Sequence, residues 1–199
     1  MGYNIYWLGV RGKANDVVLS ELGFCGTGKF EESPEGKYSA VLLSTGWYVI
    51  FANETGYYPS LSDLNQLSQN AEVLLCQIME GSMYSEASHW RLGTMVWNVT
   101  HDSSRGLKHL HVRGEPPAAY HKIRESLLQK QDMDTSTYQG MGVDYIFDVP
   151  IELARAITGF RHDEDILYLD EDIVEPFELL EAVAPPAKRR GFFQWLFRR

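Results

Sequence analysis

The chain has 199 residues, 44% hydrophobic, 23% charged and 13% aromatic, which suits one domain with appendages and is too aromatic for global disorder. No apolar run approaches the ~18 residues of a membrane span, and residues 1–6 lack the basic and apolar regions of a secretion signal. The two cysteines, Cys25 and Cys76, form no CxxC pair; both are expected to be buried thiols in a reduced, cytoplasmic protein.

The net charge of −9 is segregated. Residues 188–199 hold Lys188, Arg189, Arg190, Arg198 and Arg199 and no acid, and the rest of the chain carries 13 basic against 27 acidic residues, a balance of −14. From 163 to 181 there are nine acids and neither Lys nor Arg. A body this acidic is a poor nucleic-acid binder, because affinity for phosphate comes from clustered Lys and Arg. It would speed the arrival of a basic partner. The plain alternative for such a run is a solvated face.

In chain order, residues 3–10 read as an opening strand. A short helix capped by Asn15 or Asp16 runs through Leu22 to a stop at Gly23. Gly26-Thr27-Gly28-Lys29 reads as a turn, and the polar residues 29–37 as a loop. Residues 38–44 and 47–53, parted by Thr45-Gly46, predict a hairpin. Ser60 or Ser62 caps a helix bearing Leu61, Leu64 and Leu67. Four closely spaced strands follow at 72–79, 84–92, 95–101 and 107–113, an antiparallel meander, since parallel connections need a dozen or more residues. Pro116-Pro117 opens a helix with Tyr120, Ile123, Leu127 and Leu128 on one side. Residues 131–142 read as a polar loop, Pro150 starts a helix ended by Gly159, and a last helix is expected at 176–183. The whole predicts an α+β fold: an antiparallel meander packed against several helices in one domain, 1–183. A Pro-rich linker, 184–187, and a basic-aromatic tail, 188–199, complete the chain.

Among chemical signals, histidine comes nearest to a site. His109 and His111 lie two apart on a predicted strand, so both point to one face; His101 lies across the turn, and His89 projects from a neighbouring strand. A hydrolase, metal-dependent or not, would need these side chains to converge. No HExxH or GxSxG motif is present, and His101-Asp102-Ser103 reads as a turn. Gly26-Thr27-Gly28-Lys29 lacks the spacing of a phosphate loop. No catalytic residue, metal ligand or cofactor is therefore assigned. Glu80, Glu86, His89 and Arg91 flank the Gly81-Ser82 break, where a polar pocket is expected.

Two features point instead to binding. Phe160 followed by Asp163, Glu164, Asp165, Asp170, Glu171 and Asp172 combines an apolar anchor with acid. The tail puts Phe192, Phe193, Trp195, Leu196 and Phe197 between two basic clusters. A surface so apolar needs covering: by the acidic body, by a partner's groove or by an anionic membrane. The stretches Trp90-Arg91-Leu92-Gly93-Thr94-Met95-Val96-Trp97, Val99-Thr100-His101-Asp102 and Asp144-Tyr145-Ile146-Phe147-Asp148-Val149-Pro150 resemble segments of uncharacterised bacterial proteins and of toxin–immunity proteins. That resemblance implies a non-catalytic role, in which the chain occludes a partner protein. A basic toxin is the expected partner.

Overall fold

A computed structural model describes residues 2–53, 58–138, 142–164 and 176–183. Its strands are β1 (Asn4–Arg11), β2 (Phe24–Glu31), β3 (Tyr38–Leu42), β4 (Tyr48–Ala52), β5 (Glu72–Met79), β6 (Tyr84–Arg91), β7 (Thr94–Asp102), β8 (His111–Gly114) and β9 (Phe177–Ala182). They form one sheet in the order β2-β9-β3-β4-β1-β5-β6-β7-β8, with every neighbouring pair antiparallel. The helices are α1 (Asn15–Leu22), α2 (Leu61–Leu67), α3 (Ala119–Tyr138) and α4 (Asp148–Thr158). The expected α+β fold with its β5–β8 meander is present.

The sheet is covered on both faces. In β1, Ile5 and Trp7 point to one face and join a core with α3 and α4; Tyr6, Leu8 and Val10 point to the other and join α1 and α2. A strand buried on both sides has no solvent face to mark with polar residues, so β4, residues 5–10 of β1 and residues 73–76 of β5 read as unbroken apolar runs. Gly9 lets the layers close: a Cβ there would lie 3.2 Å from the Trp47 ring.

Local signals account for most boundaries. Ser60 and Asp63 make a reciprocal capping box that starts α2. Gly23 and Gly159 adopt the left-handed conformation that ends α1 and α4. Three expectations fail. Residues 24–31 are an edge strand, with its register shifted between Gly26 and Phe30; Glu178 accepts a hydrogen bond from the Gly28 amide there (3.0 Å). Glycines in a strand mark such a bulge as readily as a turn. Helix α3 runs on to Tyr138, through the segment read as a loop. The expected last helix is β9: Phe177 and Leu180 go to opposite cores, and Leu179 and Glu178 pair with Ser39 and Ala40. Glu, Leu and Ala favour a helix locally, but two waiting strand edges outweigh that preference. Cys76 is buried as expected, whereas Cys25 is exposed on edge strand β2. The linker 184–187 and the tail 188–199, including Phe192, Phe193, Trp195, Leu196 and Phe197, lie outside the described residues.

Candidate functional site

The start of β1, the end of β5, the start of β6 and the N-terminus of α4 meet at one end of the sheet. Between them lies a recess of about 500 Å³ that takes in Glu80, Gly81, Met83, Val143, Asp144 and Asp148. A smaller recess of about 240 Å³ adjoins it beside Tyr3 and Ser82. The pocket expected at the Gly81-Ser82 break is thus present with different walls. Of the four residues proposed for it, only Glu80 lines it; Glu86 faces Asn98 on the α1/α2 side of the sheet, and Arg91 lies at the far end of β6.

Asp144 anchors the floor. One carboxylate oxygen accepts hydrogen bonds from the amides of Ile146 and Phe147, both 3.2 Å, and so shapes the approach to α4. The other lies 3.0 Å from His101 Nε2, while His101 Nδ1 lies 2.8 Å from the His109 carbonyl. A carbonyl only accepts, so Nδ1 carries a hydrogen, and the second contact then holds a shared proton between imidazole and carboxylate. The His101 side chain is 0% and Asp144 7% exposed. With both imidazole nitrogens committed and the ring shut off from solvent, this pair clamps β7 to the segment before α4. Ser85 Oγ donates to the Phe147 carbonyl (2.6 Å), and Gln131 accepts from the Tyr145 amide (2.8 Å), so the same segment is held from three sides.

The rim is charged. The chain after α4 folds back along it, and Arg161 reaches Asp148 (3.1 Å), Glu152 and Asp163 (2.6 Å). One guanidinium therefore faces three carboxylates. Burial pushes the Asp148 carboxyl above its ordinary range, and Glu152 and Asp163 add to the rise against the opposing pull of Arg161. Burial also works to raise Asp163, but its hydrogen bond to Arg161, with His162 beside it, brings it below the usual value. Burial lowers His162, whose Nδ1 has no hydrogen-bond partner and whose ring packs edge-on against Tyr3 at 4.8 Å.

The acids and ring expected to contact a partner are placed as follows. Phe160 is 3% exposed and packs edge-on against Trp7, Phe51 and Phe177, so the ring serves the core and offers a partner no free face. Asp163 lies on the rim, and Glu164 is exposed and paired with Arg155 at 2.7 Å. Asp165, Asp170, Glu171 and Asp172 lie outside the described residues. The four histidines do not share a face. His89 and His101 point toward the α3/α4 side, His89 stacked on Trp97, whereas His111 pairs across from Thr100 on the opposite side. His109 precedes β8, and its Nδ1 accepts from the Asp102 amide at 3.1 Å. Strand β8 begins only at His111, so the shared face expected of 109 and 111 does not form. Among the described residues, no three His, Cys, Asp or Glu side chains are grouped to hold a metal ion, and no helix is long and apolar enough to cross a membrane.

Sequence reasoning missed Asp144, Asp148 and Glu152 as site residues. Their signal was a carboxylate before the helix, another in its first turn and a third one turn on, around Pro150. Compared with known proteins, the chain matches no family model, no curated sequence and no solved structure.

Proposed function

We propose that the protein is a non-catalytic binding protein of the immunity type, which occludes a basic partner protein, a toxin on this reading, through the acidic end of its sheet. One observation carries the reading: Asp148 on the recess wall shares Arg161 with Glu152 and Asp163 beside it, Arg155 also reaching Glu152 at 3.6 Å, and Glu80 stands on the facing wall. A partly buried carboxylate short of positive charge gains when a partner's Lys or Arg enters, and the surrounding field raises the encounter rate. The acidic run of residues 163–181 extends the same sign of charge along the chain. A bacterial cytoplasm is the compartment that goes with this reading, and two free thiols are compatible with it.

The test is capture from native lysate on the full chain, followed by association kinetics with the retained protein. A basic protein held in stoichiometric amount is expected, with the double variant Glu80→Gln/Asp148→Asn slowing its association at least tenfold and flattening the salt dependence. A retained partner whose kinetics ignore both substitutions would move the interface elsewhere. Retention of no protein would remove the reading.

A further inference from the structure

The basic-aromatic tail has a matching surface within reach on its own chain. Strand β9 is antiparallel to β3, β3 to β4 and β4 to β1, so Ala182 leaves the sheet at the end where Asn4 begins β1. That is the end carrying the acidic recess. Adjacent strands are ~4.8 Å apart, so β9 lies about 14 Å from β1 and about 24 Å from β6 across the sheet. At ~3.3 Å per extended residue, the five steps from Val183 to Lys188 cover about 17 Å, and the twelve to Trp195 about 40 Å. The seven steps to Arg190 cover about 23 Å, so Arg190 and the aromatics reach the end of β5, about 19 Å from β9, whereas Lys188 reaches only the start of β1.

The surfaces complement each other. The recess joins Glu80 and Asp148 to an apolar patch of Met83, Phe147 and Val143, whose side chain is 58% exposed. The tail alternates in kind: Lys188, Arg189 and Arg190, then Phe192, Phe193, Trp195, Leu196 and Phe197, then Arg198 and Arg199. A short tether holds such a segment at an effective concentration near millimolar, so a weak contact is occupied in cis before a free competitor arrives. We infer that residues 188–199 dock on this recess of their own chain, basic side chains toward Glu80 and Asp148 and an aromatic side chain over Val143. This goes beyond the partner-binding reading and can be tested with no partner present.

The experiment is hydrogen–deuterium exchange with mass spectrometry on the full-length chain. It compares the native sequence with Lys188→Glu/Arg189→Glu/Arg190→Glu, substitutions outside the described core. Peptides spanning 79–85 and 143–150 should exchange at least threefold more slowly in the native chain at low salt, and about 0.5 M NaCl should abolish the difference. The difference should be the same at 1 and 50 µM protein. Equal exchange in both chains would overturn the inference. A difference that grows with protein concentration would assign the tail to a second copy, and one seen only with phosphatidylserine vesicles would assign it to a membrane; both overturn docking in cis. Failure here leaves partner binding intact, since no partner is in the sample.

Discussion

Removing the Asp144 side chain tests the clamp that shapes the recess. Asp144→Ala deletes three accepted hydrogen bonds, from His101 and from the amides of Ile146 and Phe147, and leaves Nε2 of a fully buried imidazole without a partner. Breaking a buried pair from one side costs about 3–5 kcal/mol, because the remaining group stays desolvated without its partner. Asp144→Asn is the sharper comparison. Its amide oxygen still accepts from the two backbone amides, and its NH2 group can donate to Nε2 of a neutral imidazole whose Nδ1–H still bonds the His109 carbonyl. Only the difference between a charged and a neutral hydrogen bond is lost, about 1–2 kcal/mol. With a urea slope of about 2 kcal/mol per molar, the alanine variant should unfold about 1.5–2.5 M earlier and the asparagine variant about 0.5–1 M earlier. Urea titration by circular dichroism at pH 7 reads both. An alanine variant within 0.5 M of the native midpoint, or an asparagine variant as damaged as alanine, would refute the assignment of His101–Asp144 as a buried, shared-proton clamp.

Phe160→Ala should cost about 3–5 kcal/mol by opening a cavity beside Trp7 and Phe51; a change under 1 kcal/mol in the same titration would place the ring at the surface. Burial lowers the folded-state pKa of His162, so the unfolded chain takes up that proton first as pH falls. Stability from this residue is intact above about pH 6.5 and drains away below it. Tyr3, Glu80, Arg161 and Asp163 surround the ring, and His162→Phe should flatten the stability–pH curve between about 7 and 5. His89, also lowered by burial, leaves a residual slope, but an unchanged curve would show that His162 is not buried neutral. A thiol reagent should modify one cysteine per native chain, Cys25, and reach Cys76 only after unfolding, since Cys76 is buried and burial raises its thiol pKa. Two fast-reacting thiols would contradict the central position of β5.

The local signals were clearest where one force acted alone. Ser60 with Asp63, Gly23 and Gly159 each set a helix end through a few backbone groups, and the β5–β8 meander follows from spacing alone. Residues 176–183 misled because their helix preference is local, while the pairing that overrides it joins positions 140 and 158 residues apart, Leu179 to Ser39 and Ala182 to Phe24. The recess was half legible: Gly81-Ser82 announced a break, but Asp144, Asp148 and Glu152 approach it only through the packing of α4 on β5 and β6. The histidines show the opposite error. Spacing groups the four together, yet His111 pairs with Thr100 on one side while the buried His101 points to the other, because successive residues of β7 alternate.

The interposition of β9 between β2 and β3 sets a schedule for the growing chain. Strands β3 to β8 include five of the seven inner members of the sheet, and with β1 they can zip together while the C-terminal part is still being made. Strand β2, though synthesised second, has no partner until residue 182 emerges, because its hydrogen bonds to the sheet are all made to β9. Until then β3 presents a bare edge and β2 a stray ribbon, both open to pairing with another nascent chain. The late strand closes a loop of some 150 residues in one step, which is slow by topology. A polypeptide cut short before Phe177 would carry most of the core and still lack the element that seals its flank.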